Sequence, residues 1–225
     1  MDPLAFEVRH ELPGWELAWF RLQLRPGNDE ALAALRREVA GVARANFEGE
    51  GLATHPTVAA VRKLFRNAGT DPTRYRPSSE ALIRRLLKGE DLPVIHPFVD
   101  LNNCLSVELA VPCCASAEGT FAPPVTLRAG RPGETVQSLR GPFNLEGKPL
   151  MEDAGGPFST PITDSERVRV GEGTERVWIV AYLPQGVVDP ADARSRLDEL
   201  LARAPVAEVE QAGVSAGAGL AGAAG

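Results

Sequence analysis

Cysteine and aromatic residues are scarce in this chain, and no apolar run is long. Its 225 residues include three cysteines, two of them adjacent at Cys113 and Cys114, and 6% of the residues are aromatic. An odd cysteine count disfavours a disulfide framework and favours a reducing compartment. No window approaches the roughly 20 apolar residues of a membrane helix, and the first residues lack the basic and apolar regions of a secretory signal. We therefore expect a cytoplasmic protein without a membrane partner.

Common catalytic and metal-binding signatures are also absent. The chain contains no GxSxG, HExxH, GxxxxGK[ST], GxGxxG or CxxC motif, and His10, His55 and His96 are far apart in sequence. We therefore expect neither a metal ion nor a cofactor. The adjacent cysteines favour a buried apolar pair over a reactive one, because reactivity needs nearby positive charge or a helix N-terminus.

Charge is distributed unevenly along an acidic chain. Lys and Arg number 24 against 30 Asp and Glu, a net charge of -6 that argues against non-specific nucleic-acid binding, and we expect no DNA partner. Residues 62–88 nevertheless carry eight positive and two negative side chains. Two interpretations stay open: the solvated faces of two helices, or a site for an anionic ligand.

The spacing of apolar residues predicts an α+β fold, because helices and strands follow one another without a regular β-α-β alternation. Apolar residues three and four apart predict helices over residues 28–46, 54–69, 78–89 and 189–201. Alternation and β-branched residues predict strands over 15–24, 124–127, 168–170 and 177–183. Asn28 and Asp189 are the expected N-caps of the first and last helices.

One domain is predicted over residues 1–203, followed by a disordered tail over 204–225. The tail is built from small residues without an aromatic side chain, so its burial cannot offset its chain entropy. Within the domain, a polar cluster interrupts an apolar region at Asp100, Asn102, Asn103, Ser106 and Glu108. It indicates either capping by Asp100 with turn-forming asparagines or the lining of a pocket.

The stretch from residue 75 to 109 resembles the B3/B4 domain of the phenylalanyl-tRNA synthetase β subunit, and free-standing proteins built from that domain. The matching helical motif consists of Pro77, Ser78, Glu80, Leu82, Arg85, Leu86, Val99, Asp100 and Asn103. Later matches are Arg128, Gly133, Glu134, Leu145, Gly147, Asp153 and Thr174 with the apolar residues 177–180. The resemblance covers about residues 55–185 and implies the B3/B4 α+β fold.

This resemblance implies hydrolysis of a mischarged aminoacyl-tRNA, the reaction that the domain performs in the synthetase. The family's pocket His aligns with Cys114, and its Glu in the final strand aligns with Val180 or a neighbour. The implied pocket residues are Asp100, Asn103, Ser106, Cys114, Arg128 and Glu134, and the expected RNA contacts are Arg62, Lys63, Arg66, Arg76, Arg84 and Arg85. Alternative functions are a non-catalytic RNA- or tRNA-binding module, and a sensor that binds a free amino acid in the same pocket.

Overall fold

The computed structural model describes residues 6–48 and 51–216. These residues form five α-helices: α1 Asp29–Phe47, α2 Pro56–Ala68, α3 Ser78–Leu87, α4 Pro97–Leu109 and α5 Pro190–Arg203. They also form ten strands: β1 Val8–His10, β2 Trp15–Leu24, β3 Cys113–Ala117, β4 Val125–Ala129, β5 Thr135–Ser138, β6 Gly141–Asn144, β7 Pro149–Asp153, β8 Gly156–Ser159, β9 Arg176–Pro184 and β10 Ala207–Ala216. The predicted α+β class is confirmed.

Two four-stranded sheets and one hairpin organise these strands. The first sheet has the order β10-β2-β9-β3 and is antiparallel throughout. The second has the order β1-β4-β7-β8, with β1 and β4 parallel, and β5 pairs with β6 as a separate hairpin. Within the described ranges, no helix combines the length and the apolar character that a membrane span requires.

The main core lies between the first sheet and the helices. Along β2 the buried side chains include Leu17 on one face and Phe20 and Leu22 on the other, so both faces of this strand are covered. Helix α4 packs against α1, α3, α5 and β3, and its Phe98 and Leu101 are fully buried. This central position explains why α4 is buried on most of its circumference, its polar residues Asp100, Asn102 and Ser106 included, unlike the helices around it.

The four predicted helices are confirmed, with differences at their ends. Gly69 ends α2 in the left-handed conformation at φ 102°, and Asp189 caps α5 by accepting a hydrogen bond from the Ala191 amide. Asn28 occupies the expected N-cap position of α1, but its side chain makes no cap hydrogen bond. Its amide donates instead to the Pro205 carbonyl, 2.8 Å away, and so ties the start of α1 to the segment after α5.

The strand predicted over residues 168–170 is wrong. Residues Glu166–Val168 form a 3-10 helix, and the next two residues continue as an irregular segment. Val168 and Val170 are buried and Arg169 is exposed, which is the alternation of a strand. Their apolar side chains are therefore buried by packing, while none of the described strands pairs with their backbone.

The disordered tail predicted from Ala204 is also wrong as far as residue 216. Strand β10 pairs with β2 along its whole length, and Val206 and Ala207 are buried. The small residues favour this arrangement, because a Cβ at Gly213 would lie 2.3 Å from Cζ2 of Trp19. The edge of an existing sheet thus supplies the partners that the segment lacks by itself. Residues 217–225 of the predicted tail lie outside the described residues.

Candidate functional site

A cavity of about 490 Å³ lies between α4, β3 and the loop of residues 160–172. This volume is within the usual range for pockets that bind small molecules. Its lining consists of Ser78, Ile95, His96, Val99, Asn102, Asn103, residues 113–115, Leu139, Arg140, Thr160, residues 162–164, Glu166 and residues 168–172. A larger cleft of about 880 Å³ beside residues 186–192 and β10 is a shallow surface groove and contains none of the predicted site residues.

Helix α4 presents two amide side chains to the cavity. Its N-cap is His96, whose Nδ1 accepts a hydrogen bond from the Phe98 amide at 3.3 Å, and Pro97 begins the helix. Asn102 donates through Nδ2 to the Cys113 carbonyl at 3.1 Å, and its Oδ1 is buried without a hydrogen-bond partner. Since buried polar atoms are normally paired, this oxygen is an acceptor available to a ligand. The neighbouring Asn103 also lines the cavity.

The opposite wall is a turn held by its own side chains. Thr160 Oγ1 accepts hydrogen bonds from the amides of Ile162 and Thr163 and donates to the Thr163 carbonyl. The Pro161 carbonyl accepts from the amide of Ser78, which joins the turn to the start of α3. These bonds give the turn a defined conformation, and they place Asp164 in the cavity wall.

Asp164 is a titratable residue of the cavity wall whose carboxyl is hydrogen-bonded. Ser159 donates its hydroxyl to Asp164 Oδ1 at 2.6 Å, and the Tyr182 hydroxyl lies 3.5 Å from the same Ser159 oxygen. Desolvation of the carboxyl raises the pKa of Asp164 to about 6, although the hydrogen bonds from Ser159 and Cys114 act in the opposite direction. Such a value makes the side chain a base that is mostly ionised at pH 7.

Cys114 contributes a neutral thiol to the cavity wall. Its Sγ donates to the Thr160 carbonyl at 3.3 Å, and burial, followed by the nearby Asp164 charge, raises the pKa of the thiol well above its usual value. The prediction that Cys113 and Cys114 form a buried pair is confirmed. Cys114 also pairs across the strands with Val180.

Two of the predicted pocket residues on α4 serve the fold instead. Asp100 is buried, forms an ion pair with Arg36 and accepts the amide hydrogen of Ile95 at 2.9 Å. It lies one turn inside the helix, so the expectation that it occupies the cap is wrong. Ser106 donates to the Val111 carbonyl at 2.7 Å and does not line the cavity. Both side chains are already satisfied by the protein.

Arg128 and Glu134 do not line this cavity either. Arg128 is 3% exposed and donates to both oxygens of Glu134, at 2.8 and 2.6 Å, and to Glu152 Oε1 at 2.6 Å. The pKa of Glu134 is lowered, first of all by its hydrogen bond from Arg128. This ion cluster joins β4 and β7 to the turn before β5, which is a structural role.

The positive segment 62–88 is partly neutralised within the fold. Glu80 is fully buried and accepts hydrogen bonds from Arg62 at 2.9 and 3.0 Å and from Arg84 at 2.8 Å. Arg85 pairs with Glu90 at 3.1 Å and donates to a backbone carbonyl. The solvated interpretation therefore applies to part of this segment.

Three of the predicted RNA contacts are both exposed and free of an ion pair with the described residues. They are Lys63, Arg66 and Arg76, whereas Arg85 is exposed but pairs with Glu90. Arg76 precedes the cavity residue Ser78 by two positions. The structure thus separates the predicted RNA contacts into residues bound by internal carboxylates and residues open to solvent.

Sequence reasoning missed several residues of the cavity. Asp164, Thr160, Arg140 and Arg169 were not among the predicted site residues, and the two arginines are exposed at the mouth of the cavity. The Thr-Pro-Ile-Thr-Asp-Ser run carries the signal of a side-chain-stabilised turn, but nothing in it shows what the turn faces. Among the described residues, no group of His, Cys, Asp and Glu side chains is arranged to hold a metal ion.

Comparison with known proteins defines the class. The family model described as B3/4 domain matches residues 60–199, more than half of the chain, and this chain belongs to the B3/4 domain family. An N-terminal fragment of the phenylalanyl-tRNA synthetase β-subunit from Pyrococcus horikoshii is a similar solved structure, with 14% identity and a TM-score of 0.44. The alignment covers 95% of this chain and 53% of that one, so the chain spans about half its length. No curated protein matches the chain.

Proposed function

We propose that the cavity binds the aminoacyl group of a mischarged aminoacyl-tRNA and that the protein hydrolyses the ester bond to the terminal ribose. One observation carries this proposal: Asp164, whose carboxyl has its pKa raised by desolvation, lines a ligand-sized cavity together with Asn102, whose amide oxygen is unpaired. Membership of the B3/4 family supports it, because the resemblance connects this domain with deacylation.

Asp164 acts as the general base in this proposal. With a pKa of about 6, the carboxyl is roughly 90% ionised at pH 7 and still basic enough to accept a proton from water. The hydrogen bond from Ser159 holds one carboxylate oxygen at 2.6 Å and thereby orients the group. Positioned bases of this kind typically accelerate proton transfer by about 100-fold or more.

The two asparagines bind and orient the substrate. Asn102 Oδ1 accepts a hydrogen bond from the ammonium group of the aminoacyl moiety, which satisfies a buried oxygen that has no hydrogen-bond partner among the described residues. Asn103 makes no side-chain hydrogen bond within the described part of the chain, and its amide donates to the carbonyl oxygen of the ester. Their positions on one helix fix the distance between these two contacts.

Hydrolysis proceeds by attack of water on the ester carbonyl carbon. The water oxygen bonds to this carbon while its proton passes to Asp164, and the bond between the carbon and the ribose oxygen then breaks. The ribose oxygen takes the proton from Asp164, and the products are a free amino acid and a tRNA with a terminal hydroxyl. The thiol of Cys114 stays protonated at pH 7 because of its raised pKa, so water rather than a thiolate is the nucleophile.

Single-turnover release of labelled amino acid from a panel of mischarged tRNAs tests this function. We expect the parent protein to release amino acid, and we expect the rate of release to fall by at least about 100-fold in Asp164→Asn. The parent rate should rise tenfold per pH unit below about pH 6 and level off above it, because ionised Asp164 is the active form. Asp198→Asn, which removes an exposed carboxylate on α5, is the matched control and should leave the rate unchanged.

Two results would contradict the proposal in different ways. Release that is equally fast in Asp164→Asn would exclude Asp164 as the base, and no release from any tRNA would exclude the hydrolase. In the second case, RNA binding that weakens steeply with salt would identify a non-catalytic RNA-binding module. Thermal stabilisation by one free amino acid, without an effect of tRNA, would identify a sensor.

A further inference from the structure

Two aromatic rings lie beside the cavity and are surrounded by positive charge. Tyr75 and Phe143 meet edge to face, with 6.1 Å between their ring centroids, and both remain partly exposed. The ammonium nitrogen of Lys148 is 3.9 Å from the Tyr75 centroid and 5.5 Å from that of Phe143. The guanidinium carbon of Arg74 lies 5.2 Å from the Tyr75 centroid. The rings therefore form a cationic aromatic surface.

No internal carboxylate neutralises this surface within residues 6–48 and 51–216. Lys148 is 3% exposed and donates only to the Glu146 carbonyl, at 3.2 Å. Arg74, Arg76 and Arg140 are exposed, and none of them forms an ion pair with the described residues. They differ in this respect from the arginines of α2 and α3 that bind Glu80. An anionic ligand can thus bind here without breaking an existing ion pair.

The surface continues directly from the mouth of the cavity. Arg140 lines the cavity and precedes Phe143 by three residues in the β5-β6 hairpin, and Ser78 lines it and follows Tyr75 by three. Because an extended chain spans at most about 3.5 Å per residue, the Cα atoms of Tyr75 and Phe143 lie within about 10 Å of those of Ser78 and Arg140. A strand whose end enters the cavity can therefore reach both residues.

We propose that Arg74, Tyr75, Arg140 and Phe143 bind the single-stranded end of the RNA whose aminoacyl ester occupies the cavity. This inference rests on the proposed function and adds where the RNA binds. Bases stack on the two rings and on the Arg74 guanidinium, as in proteins that bind single strands without reading base edges. Arg76 and Arg140 contact the phosphates.

Fluorescence anisotropy of a labelled, uncharged RNA oligonucleotide ending in CCA tests this surface without requiring hydrolysis. We expect Tyr75→Leu to raise the Kd about 10-fold, from the loss of base stacking. Arg140→Gln should weaken binding and reduce the slope of log K against log salt by about one, because one phosphate contact is lost. Arg37→Gln, the same charge change at an exposed residue of α1, is the matched control and should leave the Kd unchanged.

A second binding measurement separates the contribution of base stacking from that of charge, and Arg140→Gln controls for misfolding. An oligonucleotide with abasic sites near its end should bind the parent protein about 10-fold more weakly and should not discriminate between the parent and Tyr75→Leu. Arg140→Gln alters only an exposed side chain, so its effect does not depend on the packing of Lys148.

Failure of the surface and failure of the hydrolase give different results. If RNA binds the parent, Tyr75→Leu and Arg140→Gln equally, or binds none of them while amino acid is still released, the proposed RNA-binding surface is wrong. If Tyr75→Leu and Arg140→Gln weaken RNA binding as expected but no amino acid is released from any tRNA, the RNA-binding surface is supported and the proposed hydrolase activity is contradicted.

Discussion

Replacing Asp164 by asparagine should stabilise the protein at neutral and alkaline pH while it removes the base. Burial raises the pKa of this carboxyl from 3.8 to about 6 in the folded protein. A shift of about 2 pKa units corresponds to about 3 kcal/mol by which folding disfavours the charged form. Asparagine carries no charge, and its Oδ1 can still accept the 2.6 Å hydrogen bond from Ser159. We therefore expect an increase of about 2 to 3 kcal/mol in the free energy of unfolding at pH 8.

The stability difference between the parent protein and Asp164→Asn should depend on pH, because the pKa of Asp164 differs between the folded and the unfolded state. Below pH 3.8 the carboxyl is protonated in both the folded and the unfolded protein, so its burial costs nothing there. As the pH rises towards about 6, the unfolded state ionises first and the parent protein loses stability relative to the variant. The difference between the two proteins should appear between about pH 4 and 6 and stay constant above that range.

Guanidinium unfolding at pH 4.5, 5.5, 6.5 and 8 measures this difference. Asp198→Asn is the control, because its exposed pair with Arg194 on one helix contributes only about 0.3 to 0.5 kcal/mol. The reasoning is refuted if Asp164→Asn is less stable than the parent at pH 8, or if its advantage is the same at every pH. A variant that is more stable but inactive is typical of residues kept for function.

Two further predictions concern parts of the fold outside the cavity. Arg128→Leu should lower the free energy of unfolding by about 3 kcal/mol, because it leaves the carboxylates of Glu134 and Glu152 facing each other without their buried partner. If urea unfolding shows that the free energy of unfolding falls by less than about 1 kcal/mol, solvent compensates for the two lost ion pairs of Arg128. Gly213→Val should lower the Tm, because its Cβ would overlap the Trp19 ring and overpacking costs about 1 to 3 kcal/mol. An unchanged Tm would mean that β10 does not pack on β2 in solution.

Local sequence patterns predicted much of the fold. The four amphipathic or capped segments became α1, α2, α3 and α5, and the apolar alternation after residue 15 became β2. These predictions succeeded because periodicity and capping residues act between positions close in sequence. The resemblance to the B3/B4 domain was confirmed at the level of the family, since packing and capping residues carry it.

The site was predicted less well, because its groups are distant in sequence. Of the six predicted pocket residues, Asn103 and Cys114 line the cavity, whereas Asp100 and Ser106 are satisfied within the fold and Arg128 and Glu134 form a separate ion cluster. The sequence does not distinguish polar residues that stabilise a helix from polar residues that bind a ligand, because both kinds are buried and hydrogen-bonded in the folded protein.

Local pattern and the hydrophobicity of single residues were enough to predict the fold class, four of the five helices and the burial of the cysteine pair. Long-range packing places Asp164 in the cavity wall with Cys114 and pairs the segment after Arg203 with the edge of a sheet, and no local pattern indicates either. The pKa of a carboxyl depends on what surrounds it, and an edge strand depends on the neighbour that pairs with it. The surroundings of Asp164 and the partner strand of β10 come from distant parts of the sequence, so they are in place only after folding.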